Sequence, residues 1–135
     1  MANIHKEIRS ILEVQLANIS NVPQIAYENV PYVPTTGTSY IKVDYLPTSR
    51  RPAVRGLNPQ QRYDGIFAIN CYAPEGNGPS AAETIAENVM NAFEATSSFT
   101  TNNVTVSIDY AEADQALVDS PWFLVPVNIG WYAYK

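Results

Sequence analysis

The chain has 135 residues, of which 46% are hydrophobic, and a net charge of −5, which predicts one folded domain, 1–135, and excludes a disordered chain. Its single cysteine, Cys71, excludes an internal disulfide and a cysteine cluster for zinc. Because charges interrupt the N-terminal segment and no apolar run approaches the roughly 20 residues that span a bilayer, we expect a soluble protein of a reducing cytoplasm, with no membrane partner.

The charge is divided unevenly along the chain. Residues 1–62 contain seven Lys or Arg against four Asp or Glu, whereas residues 63–135 contain one against nine. A chain divided in this way either pairs its halves internally or presents opposite charges at two separate surfaces.

An amphipathic helix is predicted over residues 3–18. Its apolar side chains recur at helical spacing and form one face: Ile4, Ile8, Ile11, Leu12, Leu16 and Ile19. The opposite face lacks the lysine and arginine content of a membrane-surface helix, so the helix is expected to cover a core. His5, the only histidine, is expected to be either solvent-exposed or a helix-start residue rather than part of a metal or catalytic site.

Two strands and a long loop are predicted next. Residues 24–28 form a short strand candidate, and the proline-containing segment 29–39 is predicted to be an extended loop. The alternating run Tyr40–Leu46 is predicted to be a strand that ends at Pro47.

A long mobile loop is predicted over residues 48–61, where Pro52, Gly56 and Pro59 interrupt any regular element. It contains three arginines and no carboxylate: Arg50, Arg51 and Arg55. Two interpretations remain open for this loop. It is either a solvated hairpin arm or a contact loop whose arginines meet phosphates or the carboxylates of a partner.

The clearest unit of the chain is a strand, a tight loop and a second helix. Residues 62–73 alternate, with one apolar face made by Tyr63, Phe67, Ile69 and Cys71, so Cys71 is predicted to be a small buried hydrophobe. The loop 74–79 precedes Ser80 and Glu83, whose spacing predicts a capping box. The helix that follows has an apolar stripe formed by Ile85, Ala86, Val89, Met90 and Phe93.

The last third of the chain is predicted to contain two strands. A turn over 97–102 leads to a strand over 104–110, and residues 111–120 form an acidic connection. The final strand covers 122–134, and Pro126 within it predicts a bulge or a sheet edge, because proline lacks the amide that a central strand donates.

The element order α-β-β-β-α-β-β predicts an α+β fold. Adjacent strands without intervening helices favour a two-layer sandwich, with a mostly antiparallel sheet of about four or five strands and both helices on one face. The other face of the sheet is expected to meet solvent or another subunit.

The sequence contains no arrangement suited to catalysis. His5 and Cys71 lack a surrounding motif, and the glycines of the 74–79 loop lack the lysine and spacing of a P-loop. We therefore predict a protein that is not an enzyme, with no catalytic residues, no cofactor and no metal.

Several strings in the first two thirds of the chain resemble one family. They are Ile25–Pro34, Gly37–Val43, Tyr63–Phe67 and Tyr72–Gly78. In this succession the chain is similar to the small tail terminator, or tail-completion, proteins of long-tailed bacteriophages, of the lambda type. The resemblance implies a structural virion protein at the head-proximal end of the tail, assembled in the host cytoplasm. It further implies a ring, expected to be a hexamer, that caps the tail tube, ends its polymerisation and offers the surface that the head-completion or connector protein joins, while DNA passes through the lumen without sequence-specific binding.

A head-to-tail ring needs two different complementary patches on each subunit, which the uneven charge can supply. We therefore expect the arginines of the 48–61 loop to reach a set of carboxylates on the neighbouring subunit, drawn from Asp109, Glu112, Asp114 and Asp119. The alternative places the same arginines, Arg50, Arg51 and Arg55, in the lumen, facing DNA.

Three other functions remain as alternatives at this stage. A head–tail connector or stopper of the same virus shares the small size and the ring. A nucleic-acid-binding module that uses the arginine loop is disfavoured by the acidic balance and by the lack of a basic face with interleaved aromatic residues. A small hydrolase would require a pocket with converging carboxylates.

Overall fold

Alternating apolar residues build one mixed sheet of seven strands, covered by two helices. A computed structural model of the chain describes residues 4–20, 22–35, 37–52, 60–76 and 78–134. The elements in chain order are α1 (Ile4–Ala17), β1 (Gln24–Ala26), β2 (Tyr40–Pro52), β3 (Gln61–Pro74), α2 (Ser80–Ala92), β4 (Ser98–Thr101), β5 (Val104–Ala113), β6 (Leu117–Asp119) and β7 (Trp122–Tyr134).

The strands lie in the order β1-β2-β3-β7-β5-β4, and β6 pairs with β7 beyond the end of β5. Only β1 and β2 are parallel; the other pairs are antiparallel. Strands β5 and β6 run beside the same neighbour in the same direction, so they are two parts of one long strand interrupted at 114–116. Both helices face the same side of the sheet, which is called the inner face below.

The core fills the space between the inner face and the helices. Its side chains come from the helix stripes, Phe93 and alternate strand residues, and the largest fully buried ones include Trp131, Phe67, Phe93, Ile8 and Leu12. Burying this apolar surface is the main stabilising term for such a fold. Cys71 lies in this core, as predicted, and burial raises the pKa of its thiol to about 12.

The outer face carries a second, smaller apolar cluster at one end of the sheet. It consists of Ala26, Tyr40, Tyr72, Trp122 and Leu124, with Tyr32 packed against it. The rings of Tyr40 and Tyr72 stack with centroids 4.5 Å apart, and Trp122 meets Tyr40 edge-on at 5.1 Å. This end of the outer face is therefore already ordered within one subunit.

The α+β class is confirmed, but the predicted two-layer sandwich of four or five strands is wrong. The sheet has seven strands and curls into a half-barrel. One added strand, β4, occupies most of the predicted turn 97–102, because Asn102 and Asn103 both adopt positive φ values, 53° and 66°, and turn the chain into a hairpin with β5. The other, β6, lies in the predicted acidic connection.

The predicted end of a strand at Pro47 is also wrong. Strand β2 continues to Pro52, and its register against β3 shifts between Pro47 and Ser49. This irregularity accommodates the proline, which has no amide to donate. Arg50 and Arg51 therefore lie in a strand rather than in a loop, while residues 53–59, including Arg55, lie outside the described residues.

One local prediction fails and another is confirmed in part. The capping box is wrong because α2 begins at Ser80 itself, with Pro79 at the N-cap and no side-chain cap. Pro126 does not lie at an edge, because β7 is flanked by β3 on one side and by β5 and β6 on the other, but a bulge does lie opposite it, since residues 114–116 face only residues 125 and 126. Its carbonyl accepts the amide of Asp114 at 2.9 Å, so its missing amide faces the break between β5 and β6.

Candidate interaction surface

The lateral edges of the sheet are open over much of their length. Strand β1 pairs only with Tyr40–Lys42, so the rest of β2 has no further strand beside it in the described part of the chain. On the opposite side, β4 pairs with β5 only as far as Ser107, and β6 has β7 as its only described partner. Open strand edges present unpaired amides and carbonyls and are natural contact sites for another chain.

The predicted arginines lie at the far end of the β2 edge. Arg51 is exposed, and its Nη2 lies 3.9 Å from Oδ2 of Asp64. The guanidinium of Arg50 lies 5.6 Å from the ring centroid of Tyr63. These contacts are loose, since an exposed ion pair at this distance contributes little, so both arginines remain available to a partner.

Arg62 is a better-anchored cation that the sequence analysis did not single out. It donates from Nε to Asp64 at 3.0 Å and from Nη1 to the hydroxyl of Tyr134 at 3.1 Å, and it lies 4.5 Å from the ring centroid of Tyr132. The hydrogen bond to Asp64 raises the pKa of Arg62 above its ordinary value. The signal that could have found it is the two-residue spacing of Arg62 and Asp64, which places both on one face of a strand.

The four predicted carboxylates all lie along the opposite edge, on β5, β6 and the break between them. Asp109 lies in a register irregularity of β5, Glu112 pairs with Asn128, and Asp114 accepts the side-chain amide of Asn128 at 3.0 Å. Asp119 ends β6 and helps to raise the pKa values of Tyr40 and Tyr72, after the larger effect of burial.

Within one subunit these carboxylates and the arginines do not meet. Strands β3 and β7 lie between the β2 edge and the β5 edge, a separation of about 14 Å at the usual strand spacing. The described residues form three ion pairs, Arg9–Glu28, Arg51–Asp64 and Arg62–Asp64, and none includes the four predicted carboxylates. Arg50 and Arg51 thus lie at one edge of the sheet and the four carboxylates at the other.

A segment called the strap here, residues 27–34, stands beside β1 and β2 and separates two open grooves. The first, of about 680 Å³, lies between the strap and α1. The second, of about 620 Å³, lies between the strap and the outer face of β2, where Tyr40, Lys42 and Asp44 line it. Val30 and Val33 of the strap are 57% and 87% exposed, respectively.

A polar network anchors the base of the strap. The carboxylate of Glu28 accepts the backbone amide of Tyr45 at 2.9 Å and pairs with Arg9 at 2.7 Å. The bond from the Tyr45 amide, followed by the one from Arg9, lowers the pKa of Glu28. His5 lies in the first turn of α1, which was one of its two predicted positions, and it is half-buried because its Nδ1 lies 2.7 Å from the hydroxyl of Tyr45 and its ring contacts Tyr63 edge-on.

The described residues hold no group of three or more metal-ligating side chains, and no described helix is long and apolar enough to cross a membrane. The grooves are open surfaces lined by both charged and apolar side chains. The distinguishing features of this chain are therefore its edges and its strap, which are suited to contacts with other proteins.

The fold and these surfaces define an α+β protein that is built for contact along its sheet edges. A sequence model described as phage tail terminator protein matches residues 7–131. The chain therefore belongs to the phage tail terminator family, a structural family of virion proteins rather than a family of enzymes, as the resemblance predicted.

Solved structures share the fold. One solved structure superposes on this chain with a TM-score of 0.74 at 20% identity, covering 96% of this chain and 94% of that one. Another is a chain of the virion of a native gene transfer agent particle, with a TM-score of 0.51 at 13% identity, covering 98% and 92%. No curated protein sequence matches the chain.

Proposed function

We propose that this chain forms a ring at the head-proximal end of a phage tail, where it ends polymerisation of the tail tube and provides the surface that the head joins. Family membership supports a role in the tail. The observation that carries the ring is the placement of the arginines and the carboxylates on opposite edges of the same sheet.

A head-to-tail ring joins two different patches of identical subunits. It closes when the rotation from one subunit to the next divides a full turn into a whole number of steps. In this arrangement the β2 edge of one copy faces the β5 edge of the next. Arg50 and Arg51 are then level with β4 of the neighbour, and Asp109, which lies just beyond the end of β4, is the nearest of the four carboxylates along that edge. Antiparallel pairing is possible there, because β5 runs antiparallel to β2 within the sheet.

Six copies is the ring size that the family resemblance implies, and the ring partners would be the tube protein on one side and the head-completion protein on the other. DNA would pass through the lumen without base-specific contacts. The gene transfer agent chain that shares this fold comes from a virion, which supports a place in the virion for this chain as well.

Tube polymerisation tests the capping role. Purified tail tube protein is allowed to assemble with and without this chain, and tube lengths are measured by electron microscopy. We expect addition of the chain to stop elongation and to leave a ring at one tube end. Equal length distributions in both samples would contradict capping, and binding to DNA-filled heads in place of tubes would favour the connector function.

The arginine contact is tested by R50E/R51E, with K6E as a single charge-reversal control on α1. We expect the double variant to lose the ring in light scattering while the control keeps it, because reversed charges would face the neighbour's acidic edge. If the rings survive but packaged virions leak DNA, the arginines face the lumen. A steep dependence of DNA affinity on salt would support that assignment.

A further inference from the structure

Two exposed apolar patches lie at the same end of the sheet, on opposite edges. One is the strap, where Val30 lines the outer groove and Val33, between the groove residues Tyr32 and Pro34, is exposed. The other is β6, where Leu117 and Val118 are 54% and 66% exposed. Neither patch is covered within the described chain.

We propose that the groove between the strap and β2 receives β6 of the neighbouring copy. This inference rests on the ring proposed above and assigns its second contact, which is apolar and lies at the opposite end of the sheet from the arginines. The occupant is a second copy of this chain because both halves of the contact are present on every subunit.

The register of the sheet supports this pairing. One transverse row of paired residues crosses the whole sheet, from β1 to β6: Gln24, Tyr40, Tyr72, Leu124 and Leu117. In a ring whose subunits repeat at one level along the ring axis, the neighbouring copy brings its β6 to the level of β1 and of the strap that borders the groove. A closed ring requires this kind of unlike, complementary pair of patches.

The charges beside the two patches are also complementary. The next outer-face row runs from Ala26 on β1 through Lys42, Asn70 and Pro126 to the backbone of Asp114. Lys42 lines the groove, is exposed and takes part in none of the three ion pairs of the described residues. Asp114 is exposed at the base of β6. Continuing the row therefore places Asp114 of the next copy beside Ala26. Lys42 then lies one strand further in, about 10 Å from Asp114 at the usual strand spacing, which a lysine side chain can largely span.

The size of the two parts agrees with this assignment. Strand β6 has three residues, all exposed, and the groove has a volume of about 620 Å³. A short apolar strand that is held on one side by β7 is thus matched to an open groove lined by Tyr32, Pro34 and Tyr40. Covering Leu117 and Val118 also removes an exposed strand edge from water.

A mixing experiment tests the contact between copies. K42E and D114K are purified separately, and ring formation on tube ends is measured for each and for a 1:1 mixture. Each variant alone places like charges in every contact, so we expect about tenfold more protein to be needed for half-maximal ring formation. In the mixture, alternating copies make every contact an attractive one, so ring formation should return to the wild-type level.

Charge-matched controls are K6E on α1 and E87K on α2, both at exposed positions. They should assemble normally, and circular dichroism should show all variants folded. If K42E and D114K assemble like the wild type, or if the mixture is as weak as its components, the inference is overturned while the proposed ring stands. If the wild type forms no ring on tubes, the proposed function and this inference both fail.

Disulfide trapping gives an independent measurement that does not depend on charge. In V33C/V118C, oxidation on tube ends should give a ladder of covalently linked copies, because a disulfide forms only where Cα atoms approach within about 7 Å. The control L46C/V118C places its first cysteine further along β2, at an exposed position, and should stay monomeric. Equal cross-linking of both pairs, or none in V33C/V118C, would overturn the proposed register.

Discussion

The inner and outer faces of this sheet are made by neighbouring residues of the same strands, yet they differ in how they are packed. The inner face is a continuous apolar layer closed by both helices, with Phe67, Ile69 and Trp131 almost fully buried. The outer face has one aromatic cluster at one end and otherwise half-exposed or polar side chains. The difference teaches that side-chain parity separates the packed core from the exposed surface: odd residues of β3 stabilise the subunit, and even ones lie on the more exposed face.

The largest test of this comparison uses two adjacent residues. F67A removes a fully buried ring and should lower the free energy of unfolding by about 3–5 kcal/mol. I66A, on the half-exposed outer face, should lower the free energy of unfolding by only about 1 kcal/mol. Urea unfolding followed by circular dichroism measures both. Equal losses would show that the outer face is as tightly packed as the core.

Two glycines sharpen the comparison. A Cβ at Gly65 would overlap the buried ring of Trp131 and lie 2.8 Å from the carbonyl oxygen of Leu46, whereas one at Gly130 would overlap only the half-exposed ring of Tyr110. Overpacking in G65A should lower the free energy of unfolding by about 2–3 kcal/mol. In G130A the loss should be about 1 kcal/mol or less, because the ring of Tyr110 can swing outward. Melting temperatures in the opposite order would contradict this reasoning.

The outer cluster itself should show a measurable but smaller coupling. Stacked aromatic pairs contribute about 0.5–1.5 kcal/mol beyond their buried area, and the rings of Tyr40 and Tyr72 are nearly parallel, with an interplanar angle of 2°. A double-mutant cycle with Y40A and Y72A measures this coupling in the free energy of unfolding. A coupling of zero would mean that the stacking adds nothing to the stability of the subunit.

The smallest effect concerns acid stability at the base of the strap. Because hydrogen bonds lower the pKa of Glu28, its contribution is present at neutral pH and is lost as the pH falls through that lowered pKa. E28Q should therefore reduce the loss of stability on acidification, measured as the slope of the free energy of unfolding against pH below about 4.5.

Glu13 gives a control of opposite sign. Burial, partly offset by Arg9, raises the pKa of Glu13, so its ionisation destabilises the fold as the pH rises through that raised pKa. E13Q should steepen the loss of stability on acidification, because it removes a group that opposes this loss. Slopes that change in the same direction for E13Q and E28Q would contradict the assigned pKa shifts.

Local periodicity was sufficient to predict what depends on local residues. It predicted both helices, the apolar face of β3 and the buried position of Cys71 correctly, because each belongs to a long, regular pattern. It missed β6, whose three exposed residues carry no alternation and are ordered only by pairing with β7. The extent of β2 beyond Pro47 was missed for the same reason, because β3 supplies the partner.

Only the charge composition of the candidate surface could be predicted from the sequence. The basic and acidic halves of the sequence were visible, but the placement of Arg50 and Arg51 opposite the four carboxylates depends on β7 inserting between β3 and β5. No local pattern specifies that order. The strap was predicted as loop, and its groove and exposed valines appear only once the chain is folded.

The interruption of β5–β6 opposite Pro126 leaves a place where this fold tolerates a change in length. Because Pro126 has no amide hydrogen to donate towards the break, it needs no hydrogen-bond acceptor among the residues that follow Asp114. A graft of a few residues between positions 115 and 116 would keep every strand pair of β7. It is accordingly the position at which to attach a fluorescent or affinity label for following the subunit during virion maturation.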